Sequence, residues 1–157
     1  MSRIHYHFLN ALNPRNLRFT LLACIVMAAS SCAVGQHADA NDMQCPGSPK
    51  CVSSEETGSS QFIEPFVFDD QPDQAMARLK SAVLSEEGVT ITKEQGNTLY
   101  AEARSDLFGF VDDMKFVLMP AAGKIQVRSS ARTGYSDLGV NRRRVERIRT
   151  VFMERKP

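Results

Sequence analysis

The residue patterns of this chain predict an α+β domain: an antiparallel sheet of about four to five strands with two helices packed on one face, in the order β-α-β-β-β-β-α. Apolar residues recur at helical spacing in two places, at Met76, Leu79 and Val83 and again at Val145, Ile148 and Phe152. Between these stretches lie alternating or β-branched runs joined by short turns, and short turns pair strands antiparallel. With 43% hydrophobic and 24% charged residues, the 157-residue chain has the composition of a globular domain rather than a disordered one. Its length, less a leader, holds one core and not two.

Residues 51–61 are rich in Ser, Glu and Gly and are expected to form a surface loop. Residues 62–68 place Phe62, Phe66 and Phe68 around Pro65. Proline cannot donate to a ladder, so this run belongs at a sheet edge. Pro72 opens a helix with Asp70 or Gln71 near its cap, residues 73–87 form its amphipathic body, and Gly88 ends it. Val89, Thr90, Ile91 and Thr92 begin the next strand. Gly96 and Asn97 turn the chain into residues 98–104, where Leu99, Ala101 and Ala103 share one face and Tyr100, Glu102 and Arg104 the other. Residues 114–119 and 124–130 flank a hairpin turn at 120–123, and the last helix covers residues 141–154.

The N-terminal segment has a different character. Arg3, Arg15 and Arg18 precede an apolar run at 19–34, and no acidic residue occurs before Asp39. A basic stretch followed by a short apolar one is the secretory-signal pattern. The 16-residue run is short for a spanning helix. Two cleavage sites compete. Ala29-Ser30-Ser31-Cys32 resembles a lipobox, with Ala29 where lipoproteins carry Leu, and would leave Cys32 lipidated. Ala38-Asp39-Ala40 is a small-x-small pattern that would free Asn41. An uncleaved anchor is the third option. Each exports the domain to the cell envelope, on the periplasmic side, and the first anchors it to a membrane through lipid. The expected organisation is a leader at 1–40, a disulfide-clipped linker at 41–61, and the α+β domain at 62–157.

Cys24 and Cys32 belong to the leader, whereas Cys45 and Cys51 bracket CPGSPKC. Pro46, Gly47 and Pro49 favour a reversal there, and an oxidising compartment closes the pair. Zinc would need a second ligand pair, and His5, His7 and His37 all lie in or next to the leader. The C-x5-C spacing also differs from the redox C-x-x-C. Neither a metal nor a cofactor is therefore expected.

Charge is unevenly spread. Residues 41–127 hold 7 Lys+Arg against 14 Asp+Glu, and residues 128–157 hold 9 against 3. Either the two halves neutralise each other within the fold, or the basic part forms an anion-binding face. Nucleic acid is not an expected partner, because no aromatic residues interleave with the basic run at 141–144 and export separates the domain from it.

Three polar segments, at 104–113, 128–132 and 134–144, concentrate the candidate site residues: Arg104, Ser105, Asp112, Asp113, Arg128, Ser129, Arg132, Asp137, Asn141, Arg142 and Arg144. On the last helix Asn141 falls within the apolar stripe and Arg144 at its edge. A buried Arg needs a carboxylate, and Asp112, Asp113 and Asp137 are the nearest choices. Three readings stay open. The set is a structural ion-pair network. Or Arg104, Arg128, Arg132 and Arg142 line a pocket for a small anionic ligand, a carboxylate or phosphate. Or Asp112 and Asp113 serve a small hydrolase or metal-assisted enzyme. The last is handicapped, since adjacent strand residues face opposite ways and the mature chain offers no His as a base for Ser105 or Ser129. Phe108 and Phe110, around Gly109, are expected as core anchors beneath the polar segment, with an exposed apolar loop as the alternative.

Three words of the sequence carry a family resemblance: CPGSPKCVSS (45–54), AEARSDLFGFVDDMKF (101–116) and IQVRSSARTGYSDLGVNRRRVERIR (125–149). They resemble the bacterial and plant family called domain of unknown function 1499, over roughly residues 45–150. The resemblance implies no activity, cofactor or catalytic residue, so the function has to be argued from the residues themselves.

Overall fold

Period-two alternation in the long strands gives the sheet one apolar and one polar face. The computed structural model describes residues 43–105 and 108–156. Their elements run β1 (Cys51–Ser53), β2 (Phe66–Val67), α1 (Pro72–Leu84), β3 (Val89–Gln95), β4 (Thr98–Arg104), β5 (Val111–Met119), β6 (Lys124–Ala131) and α2 (Val140–Glu154). The strands form one sheet in the order β1-β6-β5-β4-β3, with β2 pairing the other end of β6. Every strand pairing is antiparallel. This is the α+β fold expected from the patterns. The leader, both cleavage sites and Cys32 lie outside the described residues, and among the described residues no helix is long and apolar enough to cross a membrane.

Both helices serve the apolar face. From α1 come Ala75, Met76, Leu79, Ala82 and Val83, and from α2 Val145, Ile148 and Phe152, all buried. They meet Leu99, Ala101, Met114, Phe116, Leu118, Ile125 and Val127 of the sheet. Phe66 sits between the layers, its ring centroid 6.0 Å from Phe116 and 5.5 Å from Phe152. Each such buried aromatic stabilises the fold by about 2–3 kcal/mol.

Four local expectations change. Residues 51–53 are not loop but strand β1, with Cys51, Val52 and Ser53 opposite Ser130, Ser129 and Arg128. Their Ser-rich composition hid a long-range pairing that buries all three. Helix α1 stops at Leu84, short of residue 87, because Ser85 Oγ and N turn back onto the Ala82 carbonyl. Strand β5 begins at Val111, so Asp112 and Asp113 lie in a regular ladder. Phe108 and Phe110 are exposed and stack on each other at 5.6 Å instead of entering the core.

The second face of the sheet carries Tyr100, Glu102, Arg104, Asp113, Lys115, Gln126 and Arg128, and neither helix packs on it. A register shift between Ile91 and Lys93 turns Lys93 onto this face, opposite Tyr100. The Lys93 and Lys115 ammonium groups flank the Tyr100 ring at 5.7 and 6.0 Å. At the β1 side the face is partly covered by the chain's entry. Arg128 Nε donates to the Gln44 carbonyl at 2.9 Å, Ser53 Oγ donates to the Met43 carbonyl, and Met43 is buried.

Candidate functional site

The sheet divides the candidate residues into two groups. Beneath α2, Arg144 Nη1 donates to Asp112 Oδ2 at 2.8 Å and to Asn141 Oδ1 at 3.2 Å. Ser129 Oγ donates to the same Asn141 oxygen. The Asn141 amide nitrogen reaches Asp137 Oδ2 at 2.8 Å and the Lys50 carbonyl at 3.3 Å. Asp112, Ser129, Asn141 and Arg144 are all buried. Among the described residues no buried side-chain nitrogen or oxygen lacks a hydrogen-bond partner. A network satisfied in this way fixes α2 on the sheet and leaves no donor turned toward a ligand.

Asp137 holds the entry to α2. Burial opposes its ionisation, but N–H donors from Asn141 (backbone and side chain) and Gly139 outweigh it, and its carboxyl stays below the ordinary range.

On the opposite face, Arg132 makes a fork with Asp113, at 2.9 and 2.7 Å, and also bonds Glu102. Its hydrogen bonds to Asp113 and then Glu102 hold the Arg132 guanidinium more firmly protonated than usual. Asp112 and Asp113 thus face opposite sides and answer to different arginines, so they form no convergent carboxylate pair. Arg128 is turned to the Gln44 carbonyl. Arg142 donates to the Ser60 and Phe62 carbonyls, both at 2.8 Å, and tethers the loop before β2. The four arginines Arg104, Arg128, Arg132 and Arg142 therefore do not converge on one pocket.

Arg104 and Ser105 have a separate setting. Ser105 N–H donates to the Phe110 carbonyl, and Ser105 Oγ accepts from the Phe110 N–H at 3.0 Å. Gly109, at φ 64°, closes this turn in the left-handed region that favours glycine. Arg104 Nη1 lies 3.4 Å from the Gly109 carbonyl, a weak bond. Gly88 packs against β4 so closely that a Cβ there would stand 2.5 Å from the Arg104 carbonyl oxygen. Between Gly88–Thr90 and Glu102, Arg104, Ser105 and Gly109 opens a cleft of about 500 Å³. Of the sequence candidates, only Arg104 and Ser105 line it. Glu102 was missed, because nothing local in the sequence links it to Arg132.

The buried pair Asp70–Arg78 was missed as well. Arg78 forks onto Asp70 at 3.0 and 2.7 Å, donates to the Phe152 carbonyl at 2.8 Å and stacks over the Phe152 ring at 4.1 Å. Its signal was present: Arg78 interrupts the apolar stripe between Ala75 and Ala82. Among the described residues no group of three or more His, Cys, Asp or Glu is placed to hold a metal ion.

The Cys45–Cys51 pair is bonded, with Cα atoms 5.7 Å apart. Residues 43–152 match the model of a family described as protein of unknown function (DUF1499). No curated protein matches the chain.

Proposed function

The chain belongs to the DUF1499 family, whose description assigns no activity, and from its geometry we propose an exported envelope module that binds a small anionic ligand. The observation that carries this reading is the cleft of about 500 Å³ at the β3–β4 end, with Arg104 among its lining residues. The other acid and base nearby are already matched, since Glu102 is paired with Arg132. An arginine at the mouth of a cleft suits a carboxylate or phosphate. The divergence of Asp112 and Asp113 argues against the carboxylate-pair enzyme.

Nuclear magnetic resonance titration with inorganic phosphate and with citrate tests this. Shifts should gather at Gly88, Val89, Thr90 and Gly109, and Arg104→Ala should weaken them at least about tenfold, or 1.4 kcal/mol. Shifts that survive Arg104→Ala, or none up to about 10 mM anion, would sink the reading.

Export is supported by the basic-then-apolar order of the first 34 residues and by the Cys45–Cys51 bond, which suits an oxidising compartment. Lipid at Cys32 supplies the membrane anchor in this reading. Mass spectrometry of the mature N-terminus checks it: a lipidated Cys32 is expected, and an unmodified start at Asn41 overturns the anchor.

A further inference from the structure

Two loops leave the sheet side by side where β4 and β6 end and β5 begins, since the Arg132 N–H donates to the Val111 carbonyl at 3.1 Å. Both carry apolar side chains outward. Phe108 is 70% exposed and Phe110 57% in one loop, and Tyr135 is 76% and Leu138 84% in the other. Both loops are held by hydrogen bonds at their described residues. The Ser105–Phe110 bonds pinch the first. In the second, Arg143 Nη1 holds the Leu138 carbonyl at 2.9 Å, and Asp137 takes the Gly139 N–H at 2.9 Å. Leu138 sits at φ 53°, a left-handed conformation that costs a leucine about 1 kcal/mol or more. The fold gains no core contact from a leucine held outward there.

Cations surround these tips. Arg104, Arg143 and Lys50 bond backbone carbonyls of Gly109, Leu138 and Arg132, and none of them forms an ion pair with a carboxylate among the described residues. The carboxylates on these strands and on the second loop are engaged: Glu102 and Asp113 with Arg132, and Asp137 with N–H groups of the first turn of α2. Asp106 also belongs to the first loop and lies outside the described residues. Separate apolar tips with cations behind them suit shallow entry into a bilayer interface better than a protein groove. The turn closed by Cys45 and Cys51 also lies at this end, since the Lys50 carbonyl accepts from Ala131 N–H and the Asn141 side chain. In the lipid-anchored reading, residues 33–42 link Cys32 to Met43 and can span at most about 36 Å.

We propose that this end of the domain docks on the surface of an anionic lipid bilayer, with Phe108, Phe110, Tyr135 and Leu138 entering the interfacial layer. The inference rests on the envelope reading above, but not on the ligand cleft.

The chain contains no Trp, so a single introduced Trp reports its own surroundings. Full-length Phe108→Trp and, separately, Tyr135→Trp would be mixed with phosphatidylcholine vesicles containing phosphatidylglycerol and brominated acyl chains. Met153→Trp is the control, because Met153 lies about 20 Å along α2 from its first turn. The first two should shift to the blue and be quenched at least about twofold. The effect should shrink in high salt or without phosphatidylglycerol, and the control should stay unchanged. A chain that sediments with the vesicles while Phe108→Trp and Tyr135→Trp remain unquenched overturns the docking face and leaves the envelope reading standing; this is also the result expected if a protein covers these loops. Equal quenching of the control overturns it too. A chain that does not sediment overturns the docking face, while the envelope reading is decided separately by mass spectrometry of the mature N-terminus.

Discussion

Asp112 and Asp113 are neighbours in sequence and each pairs with an arginine, yet the two pairs do different work. Asp112 and Arg144 are buried under α2, and Arg144 also donates to Asn141, which accepts from Ser129 as well. Asp113 and Arg132 lie on the bare face, each with more than 40% of its side chain in water. Water and salt screen the outer pair and replace it at little cost when it breaks. The inner pair has no such substitute. Identical chemistry is thus structural on one side of the strand and adjustable on the other.

The strongest way to break this contrast is Arg144→Ala. It strands Asp112 in the interior and should cost about 3–5 kcal/mol, a fall in Tm on the order of 15 °C by thermal denaturation. Replacing both partners, Asp112→Leu with Arg144→Met, should recover most of that loss. A single variant that melts within a few degrees of wild type would show that the inner pair is not a lock.

Opening the disulfide sharpens the same contrast from outside. Cys45→Ser with Cys51→Ser should cost about 2 kcal/mol by loop entropy. It should also loosen the Lys50 carbonyl that Asn141 holds. Hydrogen exchange would then rise first at Lys50 and Ala131.

Asp137 gives a smaller effect, with a defined pH dependence. Its folded pKa is lowered, so its contribution is present above the unfolded carboxylate value of about 4 and is lost as pH falls through the lower folded value. Asp137→Asn should lower stability near neutrality by about 1 kcal/mol, as for a lost helix cap. The gap between the melting curves should close below about pH 4. A gap that persists at pH 2 or so would assign the loss to something other than the carboxylate.

The smallest change is expected from Arg132→Ala, under about 1 kcal/mol and less in high salt. A loss matching that of Arg144→Ala would erase the difference between the two faces.

Which face several of the candidate residues occupy was legible in the sequence. The helical spacing placed Asn141 and Arg144 toward the core, and both are buried. Period two warned that Asp112 and Asp113 could not point the same way, and they do not. What local pattern could not supply was partner choice. Arg128 ends on a backbone carbonyl near the chain's entry, Arg142 on two carbonyls before β2, and Glu102 on Arg132 across a strand. These links join residues far apart in sequence, whose proximity exists only after the sheet forms. Phe108 and Phe110 misled because hydrophobicity was read as burial, while the Ser105 turn fixes them outward.

By itself, then, the sequence determined the α+β class, the strand and helix order, and which residues share a face, because periodicity is a property of the local backbone. Tertiary structure alone decided that Cys51–Ser53 is a strand, which arginine meets which acid, and that one end of the sheet presents apolar tips to solvent. Those outcomes depend on register between distant segments and on where burial leaves a charge without water.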